Sequence, residues 1–580
     1  MSDSMIDQDQ LPKPHAAKRF VLACLALSAL PLFYLLFDLL SFRNDVSSWL
    51  AMRLVGASLL LDEQKLYVDF WDWSQPVVYD LLQGLLWLRS ALEKVGIIVF
   101  ADNLAHIAVW LLVVLSLCLT AALTYQVLLR CDERERSVAS QDAAAALLPS
   151  QIQDASLALL FSTALASLIL RFDFGDLPHL LVLALAPWIF LRWLVYRGLF
   201  CQNPLALAIG SLAGLSAALD LPFLGVFITV EVVLAADAVL GGQPLAALGK
   251  RLWRPEMLGF FIVLLLCLLR LTLLEPVVSN AYWHWTMPLR WLNYQVYDPA
   301  LYSSESSPDR RDILYGLALA SALTFFLQRK NSFFLPPFVL AWSGFLIYMV
   351  ERQGLSRDLS LTVFGTTLIA SLTFLLLGRT LRGLFLSKGE KQSLAVVRLG
   401  QAVIVFVAAA VVALTAYSLG CDRDRLYVFR VGRGQGYEDL LSVYDKNTVW
   451  QKPVLVLCDY PAAAYPALLS LSAERRGYLL WARPLRLLVW LKAHAVLVPP
   501  LKDFYDYMLG RLRADIGSGD ANLIVVQSAL GDALERSGLA VELEDKYVRG
   551  EPCRYVSRNE QPREYFGTND FERYLRRLTP

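Results

Sequence analysis

The sequence predicts an α-helical polytopic membrane protein with about eleven transmembrane helices and a C-terminal α/β domain on the extracytoplasmic side. Three features carry this. Apolar runs long enough to cross a bilayer recur from Phe20 to Leu419, basic residues collect after every second run, and a polar tail follows the last. The balance of 56% hydrophobic to 18% charged residues over 580 residues lies outside the range of soluble multidomain chains.

The runs are Phe20–Leu40, Leu104–Leu129, Ser156–Leu170, Leu180–Val195, Leu205–Leu219, Phe223–Leu240, Leu258–Leu274, Leu314–Leu327, Phe333–Val350, Leu359–Leu377 and Leu399–Leu419. The third, fifth and eighth are short against the ~20 residues that a spanning helix needs. Lys13, Lys18 and Arg19 precede the first run. Arg130, Arg134 and Arg136 follow the second, Arg192 and Arg197 flank the end of the fourth, and Lys250, Arg251 and Arg254 follow the sixth. Arg329 and Lys330 follow the eighth, and Arg379, Arg382, Lys388 and Lys391 the tenth. This alternation puts residues 1–19 in the cytoplasm as a short tail, residues 20–419 in a transmembrane domain, and residues 420–580 outside, on the periplasmic face of an inner (plasma) membrane. The polar start, with no small-residue cleavage site after the first run, makes that run an uncleaved anchor.

In the tail, LYVFRV, PVLVLC and NLIVVQ read as buried strands, while YEDLLSVYDK, YPALLSL and ALGDALERSG have helical spacing. Their alternation predicts a small α/β unit of about 160 residues. The Gly432–Gly436 run GRGQG imitates a dinucleotide fingerprint but has the wrong glycine spacing, and a tight turn accounts for it better. A net charge of +1, without blocks of either sign, points to no nucleic-acid partner. Eight cysteines without Cys-x-x-Cys spacing make neither a disulfide scaffold nor a zinc site, though Cys421, Cys458 and Cys553 in the tail could supply one pair.

Three external regions are large enough to carry chemistry: residues 41–103, residues 275–312 and the tail from Cys421 to Pro580. The first contains Asp45, Asp62, Glu63, Asp69, Asp72 and Asp80 among Trp49, Tyr67, Phe70, Trp71, Trp73 and Tyr79. Aromatic faces stack on sugar rings and anchor helices at lipid headgroups, and a carboxylate can take the proton of an attacking hydroxyl. An interfacial aromatic belt with solvated acids is the plain alternative.

Order separates these readings. An acid directly after the first run, a helical stretch, then Tyr67-x-Asp69-Phe70-Trp71-Asp72 and Pro76 resembles the polytopic glycosyltransferases of the C superfamily (GT-C). The nearest likeness within them is to bacterial relatives of protein O-mannosyltransferases and aminoarabinose transferases. That resemblance implies two juxtamembrane helices in the loop, with Asp45 as the catalytic base and Asp69 orienting the base or the acceptor. After the motif the family usually has a Lys or paired prolines, where this chain has Ser74, Gln75 and Pro76. The stretch Phe172–Phe190 is similar to a short external loop of some members in which a Gly and a His precede the fourth run, and Asp176 and His179 are expected to face the same cavity. Asp220 stands where the family often has Lys.

The resemblance implies transfer of a sugar from a polyprenyl-phosphate-linked donor to a glycan, lipid or protein acceptor on the extracytoplasmic side. Arg270 and Arg290 are candidates for the donor phosphate, because guanidinium groups bind phosphate bidentately. Tyr67, Trp71, Asp72, Tyr282 and His284 are candidates for the substrate cavity. No cofactor is required by these residues; the loop carboxylates could hold a divalent ion, but their spacing does not demand one. The competing reading is a non-catalytic or transporter-type protein with an external partner-binding domain, for which Glu231 and Asp237 within the sixth run would form a proton relay.

Overall fold

A computed structural model describes residues 14–41, 47–137, 143–169, 174–199, 202–244, 249–251, 253–295, 310–328, 331–351, 359–386, 453–458, 465, 475–518, 521, 523–527, 530–549 and 571–576. Among these residues, eight helices are long and apolar enough to cross a membrane: Ala17–Phe37, Ala101–Cys131, Pro149–Ile169, Leu177–Tyr196, Pro222–Leu240, Pro255–Thr272, Ser332–Val350 and Ser360–Arg379. They coincide with the first four predicted runs and the sixth, seventh, ninth and tenth. The fifth and eighth runs form shorter apolar helices, Asn203–Leu219 and Ile313–Leu327. The third run is longer than expected because its helix starts at Ala143 and continues through Pro149. The eleventh run, GRGQG, LYVFRV and YEDLLSVYDK lie outside the described residues.

The helices used below are α1 (Pro14–Ser41), α2 (Ser48–Leu61), α3 (Pro76–Lys94), α4 (Ala101–Ser137), α5 (Ala143–Ile169), α6 (Leu177–Tyr196), α7 (Asn203–Leu219), α8 (Leu221–Leu240) and α9 (Pro255–Thr272). Helices α3 and α6 to α9 each carry a proline in the first turn after an extended N-cap residue. There the missing N–H costs nothing and the fixed φ starts the helix. Helix α6 is the axis of the bundle, with nearly every residue buried, whereas α1 turns Leu30, Phe33 and Phe37 outward as a lipid-facing helix does.

Two devices hold the helices around α6. Helices α7 and α9 approach through glycines: a Cβ on Gly210 would lie 1.9 Å from the Glu256 carbonyl oxygen, and one on Gly214 would lie 2.4 Å from that of Phe260. Such small-residue seams let backbones pack closely where lipid supplies no hydrophobic drive. The second device is ionic. Arg192 of α6 is fully buried; its Nε and Nη2 donate to Glu231 of α8 at 2.6 and 2.7 Å, and its Nη1 donates to Glu256 of α9 at 2.8 Å. Asp237 pairs with Arg197 at 3.2 Å. Both acids that suggested a proton relay are thus held by arginines at the end of α6.

The C-terminal unit has a five-stranded sheet of order β2-β1-β3-β5-β4, built from β1 (Val454–Leu457), β2 (Arg475–Arg476), β3 (Leu523–Gln527), β4 (Tyr547–Arg549) and β5 (Phe571–Arg576). Strands β2, β1 and β3 are parallel, and β5 runs antiparallel to β3 and β4. The predicted PVLVLC and NLIVVQ strands are β1 and β3, and ALGDALERSG contains the helix Gly531–Ser537. Every residue of β1 is buried, as its uninterrupted apolar run requires. The core of this unit is continuous with that of the first external loop: Trp49, Tyr67, Trp71 and Tyr79 share one apolar cluster with Leu455, Leu480, Phe504 and Ile524.

Candidate functional site

The site grows from the turn between α2 and α3. Glu63 and Tyr67 take left-handed backbone conformations, φ +63° and +67°, which side-chain-bearing residues seldom adopt unless their surroundings impose them. Here they do. The Tyr67 hydroxyl donates to the Ser74 carbonyl at 2.6 Å, and the Tyr67 carbonyl accepts from the Tyr478 hydroxyl at 3.0 Å. Burial pushes the Tyr67, Tyr79 and Tyr478 phenols well above their ordinary value and keeps them as neutral donors.

Trp71 joins three parts of the chain. Its backbone N–H donates to Tyr478 O at 2.7 Å, its carbonyl accepts from Leu480 N at 3.1 Å, and its indole N–H donates to Thr286 Oγ1 at 3.2 Å. Thr286 ends a π-helical turn, Tyr282–Thr286, inserted between the helices Pro276–Ala281 and Met287–Gln295. Tyr282, Thr286 and Arg290, four residues apart, face the first loop from this segment, and the Tyr282 hydroxyl donates to Gln75 Oε1 at 2.7 Å. Gly56 on α2 sits where a Cβ would approach Tyr79 Cε1 and Leu480 Cδ1 to 2.7 and 2.8 Å, so loop and C-terminal unit meet at van der Waals limits.

A cleft open to solvent lies at this junction, where α2, the N-terminal ends of α6 and α8, the Met287–Gln295 helix and the C-terminal unit meet. Its polar wall is Arg53, Asp72, Ser74, Asp220 and Arg290, and its aromatic wall is Trp49, Trp73 and Trp481. Arg53 donates through Nε to Ser74 Oγ at 3.0 Å, and its Nη1 stands 3.7 Å from Asp176, which accepts from Ser47 Oγ at 2.7 Å. Asp72 is buried, its Oδ2 accepting from the Tyr79 hydroxyl at 2.7 Å and from Ser74 N at 3.2 Å. Arg290 is paired with Asp220. Trp73 Nε1, a buried N–H of this wall, has no hydrogen-bond partner among the described residues, whereas Arg53 Nη1 faces Asp176 in the ion pair just described.

Of the candidate site residues, Asp72 and Arg290 line the cleft, together with Trp49, Trp73, Ser74 and Asp220, which were also named in the sequence. Tyr67, Trp71 and Tyr282 stand behind its wall, and Asp176 supports Arg53. The others sit elsewhere. Asp69 accepts from Lys65 N at 2.9 Å, closing the turn, and lies 3.6 Å from Arg511 of the C-terminal unit. Arg270 forms a two-pronged pair with Asp80, 3.1 Å on each arm, which ties α9 to α3 on an exposed face. His179 is fully enclosed; its Nδ1 accepts from Gly175 N, which fixes a neutral tautomer with Nε2–H directed at Ser167 Oγ. His284 turns outward, against Asn280 O. Asp45 lies outside the described residues. No three His, Cys, Asp or Glu side chains come together as a metal site among the described residues.

Arg53 and Trp481 are the cleft residues whose importance was not foreseen. For Arg53 a signal existed, because it is the one charge in the otherwise apolar helix SWLAMRLVGASLLL. For Trp481 none did, since its place depends on a contact across some four hundred residues of chain.

No protein-family model matches the chain, and no curated protein does. Among solved structures it is similar to the archaeal oligosaccharyltransferase AglB from Archaeoglobus fulgidus, determined in complex with an inhibitory peptide and a dolichol-phosphate. Identity is 13% and the TM-score 0.43, over 94% of this chain and 75% of that one. An Archaeoglobus fulgidus oligosaccharyltransferase tethered to an acceptor peptide gives 12% and 0.42, over 93% and 74%. The apo form gives 12% and 0.34, over 91% and 73%.

Proposed function

We propose that this chain is a membrane glycosyltransferase of the GT-C type, which moves a sugar from a polyprenyl-phosphate-linked donor to an acceptor on the extracytoplasmic side. One observation carries the reading: a single cleft at the ends of membrane helices combines two arginines, a buried carboxylate and a tryptophan wall. Arginines suit a phosphate, aromatic faces suit a sugar, and the position suits a donor that arrives from the lipid. Charge alternation along the chain supports an external cleft, a cytoplasmic N-terminus and an external C-terminal unit.

In this mechanism Asp45 is the general base. Asp45 takes the proton of the acceptor hydroxyl as its oxygen bonds to the sugar C1. The bond from C1 to the phosphate oxygen breaks, and the charge gained by the departing polyprenyl phosphate is met by Arg53 and Arg290. Arg290 becomes available as Asp220 yields its place to the phosphate. The orienting role first given to Asp69 passes to Asp72, which faces the cleft, and the phosphate role of Arg270 passes to Arg53.

The test is transfer of a labelled hexose from a polyprenyl-phosphate hexose by the purified full chain. Asp45→Asn should lower transfer by about 10²–10⁴-fold, the usual worth of a general base, with the gel-filtration profile unchanged. Full product from that variant removes the mechanism.

A further inference from the structure

We infer that Trp49, Trp73 and Trp481 form the subsite for the ring of the transferred sugar, so that the C-terminal unit supplies a specificity-determining wall of the cleft. This rests on the glycosyltransferase reading and goes beyond it, because it assigns a recognition role to a residue more than four hundred positions from Trp49 and Trp73.

The three indoles form one surface. Trp481 meets Trp49 edge-on at 5.0 Å between ring centres and Trp73 at 5.6 Å, and all three line the cleft. Trp481 is held from both sides by backbone bonds: Leu480 N donates to Trp71 O at 3.1 Å, and Ala482 N donates to Cys458 O at 2.8 Å. The Arg483 guanidinium lies over its ring at 5.9 Å. A wall fixed in this way loses little side-chain freedom when a ligand arrives.

The chemistry of the wall favours a sugar over a hydrocarbon chain. The Trp73 indole N–H, without a hydrogen-bond partner among the described residues, and the Arg53 guanidinium stand in the same wall, with the Asp72 carboxylate beside them. A polyprenyl chain would bury these polar groups without a partner. A sugar offers C–H faces to the indoles and hydroxyl groups to the polar wall of Arg53, Asp72 and Ser74. The lipid portion then leaves the cleft toward Leu177, Pro178, Leu219, Phe223 and Ile347, its apolar lining.

Binding of two probes to the full chain in detergent tests this: synthetic decaprenyl phosphate, and the same lipid phosphate esterified with mannose or glucose. The wild type should bind an ester more tightly than the bare phosphate. Trp481→Ala should weaken the preferred ester by about tenfold, the loss of roughly one stacked aromatic contact, and leave the bare phosphate within a factor of about two. Trp481→Phe should restore most of the difference, and Arg290→Gln should weaken both probes together. Equal loss of both probes in Trp481→Ala, or no loss of either, overturns the sugar subsite. A wild type that binds phosphate and esters equally also overturns it but leaves the lipid-phosphate reading standing. A wild type that binds no probe overturns both.

Discussion

Trp71→Ala should release the C-terminal unit from the first loop. The indole is fully buried, packs on Phe504 and Trp73 at ring distances of 5.6 and 5.7 Å, and donates to Thr286. Truncating a buried tryptophan costs about 3–5 kcal/mol, and the lost hydrogen bond accounts for about 1 kcal/mol of it. The two backbone bonds to Tyr478 and Leu480 do not involve the side chain, so the variant retains the geometry of the contact but not its stability. A loss of about 4 kcal/mol corresponds to nearly a thousandfold increase in opening. Native-state hydrogen exchange reads this directly at the amides of Trp71 and Leu480, whose protection depends on docking. Trp71→Phe keeps ring packing and loses only the bond to Thr286, so its exchange should rise about tenfold at most. If Trp71→Ala leaves both amides within tenfold of the wild type, the contact is not what holds loop and C-terminal unit together.

The buried charge cluster on α6 gives a second prediction. Arg192→Met strands Glu231 and Glu256 without their cation and should cost about 3–5 kcal/mol in thermal unfolding, whereas Arg192→Met combined with Glu231→Gln and Glu256→Gln should recover much of that loss. A single variant as stable as the wild type would contradict the ionic lock. The phenols of Tyr67, Tyr79 and Tyr478 give a third, from pH. Their folded values lie above the ordinary 10.0, so burying them neutral favours the folded state fully below pH 10 and progressively less as pH rises toward the folded values. Tyrosinate absorbance from these three should therefore appear together with unfolding; titration near pH 10 in the folded protein would contradict their burial.

The membrane portion was legible because apolar length is a local property. Eight predicted runs are membrane-length helices, and two of those marked as short, Leu205–Leu219 and Leu314–Leu327, are the shorter helices of the bundle. The loop stood out by its mixture of acids and rings and does line the cleft, but its detail was not legible. Asp69 and Asp72 lie three residues apart in one motif, and the left-handed turn at Tyr67 helps send one into the Lys65 turn and the other to the cleft. That conformation is imposed by contacts with Tyr282 and Tyr478, more than two hundred and four hundred residues away, and no local pattern encodes it. His179 and Arg270 misled for a related reason. A polar residue at a helix end suggests a cavity, whereas Gly175 and Ser167 satisfy one of them and Asp80 the other.

The central claim is that the cleft between Arg53, Arg290 and the tryptophan wall holds a lipid-linked sugar phosphate. Native mass spectrometry of the protein purified from its own membranes tests it most directly. The account predicts a retained polyprenyl phosphate or its glycosyl ester in the wild type, lost when Arg53→Met and Arg290→Gln are combined. Retention of the same lipid by that double variant, or only bulk phospholipid on the wild type, would contradict it.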